Sequence, residues 1–271
     1  MNQCVIFSRA DRLYRKGEKC MEFHSFGHPS APVLLLIHGT LTPWQIWKTQ
    51  IAHFSRSYHV IAAALDAHTE EENSEFRSIE QQAEKIAAHL DSQCIRQVDT
   101  VCGISLGGVI AYHFWKASGI PVHHLILDGA PLVRIPRIAE VCMIWNYRRI
   151  LRASRQRDPR TLAAFKRDFL PEQYLESYLK IADRMSDDSI CALLRSVCRY
   201  ELTADMPSGT RVLFLHGTKG NEMISAKAAK RLRQHLPELE ILCCEGRAHC
   251  EIAVYRPEKW LEIVENWMHQ A

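Results

Sequence analysis

The stretch VDTVCGISLGGVIAYHFWKA (98–117) changes character in its middle. Its first half, VDTVCGIS, is an apolar run of strand length, and its second half repeats apolar residues at helical spacing. The change falls on Gly103-Ile104-Ser105-Leu106-Gly107, a G-x-S-x-G pattern. A strand that turns sharply into a helix leaves no room for side chains two residues before and after the turn, so glycine is expected at both places. Such a turn lifts the Ser105 hydroxyl above the carboxyl end of its strand. There it faces a helix N-terminus, whose dipole favours developing negative charge.

The same alternation extends in both directions. VLLLIHG (33–39), VIAAALD (60–66), LILDGA (125–130), RVLFLHG (211–217) and LEILCCEG (239–246) are further strand-like runs. Between them lie helical patterns at 43–54, 78–91, 225–236 and 257–268, with Ser78 placed to cap the second. Continuous apolar strands separated by helices predict an α/β fold, a mostly parallel central sheet with helices on both faces. CVIFS (4–8) and KCMEFHSFG (19–27) read as an irregular N-terminal hairpin. Between 132 and 206 the strand rhythm stops and the pattern is helical, punctuated by Pro136, Pro159 and Pro171. The expected organisation is a core in two parts, 1–131 and 207–271, interrupted by a helical insertion at 132–206.

Bulk properties narrow the function classes. A net charge of +3 without a basic tail, zinc-finger spacing or RNA-binding aromatic motif argues against nucleic acid as the partner. The longest apolar runs are far short of the roughly 20 residues of a membrane span. The N-terminus lacks the layout of a secretory signal. The ten cysteines are scattered with no C-x-x-C pair. Free thiols in a reducing, cytoplasmic setting are therefore expected.

The segments LLLIHGT (34–40), GISLGG (103–108), LILDGAP (125–131), LFLHG (213–217) and GRAH (246–249) together resemble the α/β-hydrolase fold family, within its cap-bearing, serine esterase-like group. The resemblance spans roughly residues 30–270. It implies Ser105 as nucleophile and the backbone N–H of Leu106 as one oxyanion donor. The second donor falls in the His38-Gly39-Thr40 loop, at Thr40, with Leu41 its neighbour in contention. His38 is read as a structural loop histidine, because the family's base comes last in the chain. That position is His249, in the loop after the final strand. His123, His124, His216 and His235 lie in strands or helices and are read as core or surface residues.

The acid departs from the family pattern. Where an Asp is usual after LFLHG, this chain has Gly220-Asn221, and Glu222 is the only carboxylate of that loop. Glu222 is therefore the leading candidate, and Asp128, at the end of the preceding strand, is its rival. Asp66 resembles the family's structural Asp.

The insertion is strongly basic. Residues 134–167 carry ten Arg or Lys side chains against Glu140 and Asp158, about +8, which leaves the rest of the chain near −5. A solvated face and an anionic substrate or partner both fit this asymmetry. Trp145, Tyr147, Phe165, Phe169, Tyr174 and Tyr178 read as core of the insertion, with some roofing an acyl pocket. The acidic stretch TEEENSEF (69–76) reads as a solvated loop. The expectation is a carboxylic ester hydrolase on a small-molecule acyl substrate, without cofactor or metal. Two alternatives stay open. One is an acyltransferase, C–C hydrolase or lyase using the same residues on an anionic substrate. The other is a non-catalytic ligand-binding protein on the same scaffold.

Overall fold

The computed structural model describes residues 21–71, 74–203 and 207–270. Its sheet has 7 strands: β1 (Glu22–Phe26), β2 (Val33–Ile37), β3 (His59–Ala64), β4 (Val98–Ile104), β5 (Val122–Asp128), β6 (Arg211–Gly217) and β7 (Glu240–Cys244). They lie in the order β1-β3-β2-β4-β5-β6-β7. β1 pairs antiparallel with β3, and every other pairing is parallel. β2 is buried at all five positions and β3 at all but its first, as strands covered on both faces require. The strand expected within KCMEFHSFG thus forms at Glu22–Phe26 and joins the sheet edge beside β3. Its expected hairpin partner, CVIFS, lies outside the described residues.

The helices of the sheet layer are α1 (Lys48–Phe54), preceded by a 3₁₀ turn at Trp44–Trp47, α2 (Ile79–Ser92) and α3 (Leu106–Ala117). The Ser78 side chain accepts from the Gln81 N–H and caps α2, as its position predicts. After the insertion come α8 (Glu222–His235), α9 (Glu251–Tyr255) and α10 (Pro257–Met268). α8 begins three residues earlier than its apolar spacing suggests, so Glu222 is a helical residue.

Between β5 and β6 run α4 (Arg137–Arg155), α5 (Pro159–Asp168), α6 (Leu175–Arg184) and α7 (Asp187–Cys198). α4 packs on α6 and α7. Phe165 stacks on Tyr178 at 3.9 Å between centroids, and the Tyr178 hydroxyl meets Ser154 Oγ at 2.7 Å. Trp145 departs from expectation: it is 66% exposed and takes no part in this core. The acidic stretch at 69–76 is also not a solvated loop throughout. Phe76 is buried and its N–H donates to Ser189 Oγ, while the Glu75 carboxylate accepts from Ser186 and Ser189 at the start of α7.

The strand order creates the place for a site. From β2 the chain moves one way to β3 and then returns past β2 to β4. Neighbouring β2 and β4 therefore send their following segments in opposite directions, opening a crevice at their carboxyl ends. A Cβ on Gly107 would lie 2.3 Å from the Ile37 carbonyl oxygen and one on Gly103 2.2 Å from that of Gly107, so the turn closes only with glycine at both.

The far wall of the crevice rests on a buried charge. Asp66, fully buried after β3, accepts from Gln82 Nε2 at 2.6 Å and pairs with the buried Lys85 Nζ, both on α2. Lys85→Met removes the partner and leaves an uncompensated buried carboxylate, which costs about 3–5 kcal/mol. Chemical denaturation should show that loss, and the double variant Asp66→Asn/Lys85→Met should recover most of it.

Candidate active site

Four loops at the carboxyl ends of β2, β4, β6 and β7 converge. Ser105 stands between β4 and α3 with φ 51 and ψ −117. A non-glycine residue with φ in the left-handed range is strained by order 1–3 kcal/mol. The strain is held by the parallel ladder: the Ser105 N–H donates to the Asp128 carbonyl at 2.8 Å, while its own carbonyl accepts from Gly108 and Val109 at the start of α3.

The β2 loop lies against this turn. A Cβ on Gly39 would approach Ser105 Cβ at 3.4 Å. Two buried histidines hold the loop. His38 Nε2 accepts from the Leu65 N–H at 3.1 Å and its Nδ1 bonds the Gly39 carbonyl at 2.9 Å. His68 Nε2 accepts from the Leu41 N–H at 3.0 Å and its Nδ1 bonds the Asp66 carbonyl at 3.0 Å. Burial lowers both rings' pKa, that of His68 to about 4 and that of His38 well below the usual value. Both are therefore neutral, with the proton on Nδ1 and the lone pair on Nε2. His38 is structural, as expected from its place in the chain. His68 was not singled out by the sequence, because its partner lies 27 residues away. Of the two N–H groups expected as the second oxyanion donor, that of Leu41 is committed to His68. The Thr40 and Leu106 N–H groups have no acceptor within the described chain.

The loops after β6 and β7 are sewn together. The N–H groups of Thr218 and Lys219 both donate to the Arg247 carbonyl, at 2.9 and 3.0 Å. Ala248 N–H donates to the Glu251 carboxylate at 2.9 Å, and Cys250, with φ 52, turns the chain into α9. This stitching brings His249 to Glu222. His249 Nδ1 hydrogen-bonds Glu222 Oε1, and His249 Nε2 stands 2.9 Å from Ser105 Oγ. Glu222 is completely buried. Burial alone would raise its pKa, but His249, the Gly217 N–H and the Ser225 hydroxyl all favour the charged form, and the net shift is downward.

Asp128 sits beside this chain of groups without a hydrogen bond to the imidazole. Burial, and then the neighbouring Glu222 charge, raise its pKa to about 7. Gly129, next to it, has φ +64, and a Cβ there would lie 2.8 Å from His249 Cε1, so only glycine leaves room for the ring. The structure thus brings Ser105, His249 and Glu222 into one line, with the Gly39 turn against the serine and Leu106 next to it in the chain. Asp128 supports the serine through its backbone. Among the described residues, no three His, Cys, Asp or Glu side chains group so as to hold a metal ion, and no helix is long and apolar enough to cross a membrane.

Comparison with known proteins addresses the family and the fold. A family model described as the alpha/beta hydrolase family matches residues 34–262. None of the curated proteins matches in sequence. Solved structures do match in fold. An alpha/beta hydrolase family protein from Desulfitobacterium hafniense is 24% identical with a TM-score of 0.72, over 92% of this chain and 100% of that one. The carboxylesterase CesB from Bacillus subtilis is 16% identical with a TM-score of 0.70, over 93% of this chain and 88% of that one. A thermophilic esterase from Thermogutta terrifontis, solved with malate bound, is 17% identical with a TM-score of 0.70, over 92% and 93%. With its sheet order, its strained serine turn and a family match over most of its length, the chain belongs to the alpha/beta hydrolase family and is an enzyme of the hydrolase class.

Proposed function

We propose that the chain is a serine hydrolase of carboxylic esters that works through an acyl-enzyme. The carrying observation is the unbroken line from Ser105 Oγ through the His249 ring to Glu222. With Nδ1–H donating to the Glu222 carboxylate, the His249 Nε2 lone pair faces the serine hydroxyl. His249 takes the proton as Ser105 attacks the acyl carbon, then delivers it to the departing alkoxide. Water enters, His249 acts again as base, and the acid is released. Glu222 holds the ring in the required tautomer and balances the imidazolium. The Thr40 and Leu106 N–H groups, both uncommitted, face the developing oxyanion; losing one such donor costs on the order of 3 kcal/mol. Ester substrates are favoured because esterases from Bacillus subtilis and Thermogutta terrifontis share the fold. The inserted helices α4–α7 are read as a cap over the crevice, tied to the core through Glu75 and through the Tyr255 hydroxyl donating to the Lys166 carbonyl.

Covalent labelling tests the nucleophile. A fluorophosphonate probe should label the wild-type chain, leave Ser105→Ala unlabelled, and label His249→Gln far more slowly. Equal labelling of folded Ser105→Ala would overturn the reading.

Turnover separates the two acids. Glu222→Gln should lower kcat on short nitrophenyl esters by about three to four orders of magnitude with little change in KM. Asp128→Asn should stay within about tenfold of wild type, because Asp128 makes no hydrogen bond to the His249 ring and its pKa is raised to about 7, so that Asn mimics the protonated form it already populates near neutrality. The opposite ranking would transfer the role to Asp128.

The raised pKa of Asp128 also sets a pH dependence. The folded chain holds this proton up to pH near 7, whereas an unfolded Asp loses it near 4. The associated stability is complete below pH 4 and lost as pH rises from 4 to 7. Asp128→Asn should therefore raise Tm relative to wild type at pH 8 and give no gain at pH 4, as thermal melts at the two pH values would show.

A further inference from the structure

α4 turns an unusual face to solvent. Its buried side, with Glu140, Leu151 and Ser154, packs into the molecule, and Met143, Tyr147 and Ile150 are drawn against the core. On the opposite side Ile138, Val141 and Trp145, at helical spacing i, i+3, i+7, are 82%, 57% and 66% exposed. Among the described residues no other helix or strand carries more than one exposed large apolar residue, and nothing in the described chain covers these three. Scattered exposed apolar residues need no explanation, but three aligned on one helix do.

The charge around this ridge is equally one-sided. Arg137 starts the helix beside it, and Arg149 and Arg152 continue its line toward the C-terminus. Arg148, on the same flank, is committed to Asp187, and Arg134 to Glu201. Arg137, Arg149 and Arg152 form no salt bridge among the described residues. Arg149 instead lies 5.7 Å over the Trp145 ring.

We propose that this face of α4 docks the enzyme on an anionic lipid surface. Ile138, Val141 and Trp145 enter the boundary between headgroups and acyl chains, and Arg137, Arg149 and Arg152 reach the phosphates, their stems lying along the apolar ridge. A fluid anionic surface satisfies ridge and charges together. A second copy fits poorly, because joining two such faces brings like guanidinium groups together. An acidic polypeptide would match the charges but leave the ridge without a recess to fill.

The test uses the whole chain in flotation assays and does not depend on the proposed ester chemistry. The probes are vesicles of phosphatidylcholine alone and of phosphatidylcholine mixed equally with phosphatidylglycerol. Binding to the mixed vesicles, weak binding to the neutral ones and loss at high salt are expected. Arg152→Gln should weaken partitioning about fivefold, and Trp145→Ala at least about tenfold, with melting temperature unchanged. No binding to the mixed vesicles, or binding indifferent to both substitutions, overturns the proposal. So does concentration-dependent dimerisation without lipid that Trp145→Ala abolishes, which makes the face an interface between copies. Retention on polyglutamate without vesicle binding overturns it too and points to an acidic protein partner.

Discussion

The backbone at Ser105 is held in a conformation that an L-amino acid seldom adopts, and the surrounding fold is arranged around that turn. Holding it needs β4 registered on β5, so that the Ser105 N–H finds the Asp128 carbonyl. It also needs glycine where α3 presses on β2. A loose or slipped sheet would let the turn relax and drop the hydroxyl out of the crevice. The cost of the strain is spread through a mostly parallel sheet whose strands β4 and β5 are buried along their carboxyl-terminal halves, which is why it can be borne in one place.

The groups proposed to react come from loops that share no local sequence. Ser105 follows β4 and His249 follows β7, 144 positions further along the chain. Their meeting depends on two pairs of stitched loops. On one side the buried Asp66–Lys85 pair fixes the turn carrying His68, and His68 holds the Leu41 N–H in the loop whose Gly39 lies against the serine. On the other, the Arg247 carbonyl collects two N–H groups from the β6 loop and so aligns His249 with Glu222. Two carboxyls, Glu222 and Asp128, lie close together in this buried region and respond in opposite senses. Hydrogen-bond donors favour the charged form of the first, and burial beside that charge raises the pKa of the second.

The inserted helices divide their basic residues between two uses. Arg148, Arg155 and Arg157 are spent on ion pairs or carbonyl contacts that bind α4 to α6 and α7. Others stand unpaired along the outer face of α4, next to its exposed apolar ridge. The charge excess of this segment is therefore partly internal structure and partly surface.

Much of the architecture was legible in the residues alone. Unbroken apolar runs such as VLLLI can only be strands buried on both faces, and glycines at 103 and 107 mark a turn that admits no side chain. These are properties of short segments, set by volume, hydrophobicity and backbone freedom, and they pointed to Ser105 and to the α/β layering without reference to the rest of the chain. Other features rested on contacts between residues far apart. Which carboxyl meets His249, which N–H beside Gly39 stays unbonded, and that Glu75 binds α7 were all decided by loop-to-loop hydrogen bonds. Trp145 shows the same limit. Its spacing suits a buried helix face as well as an exposed one, and only the rotation of α4, set by packing on α6 and α7, turned that side chain to the outside.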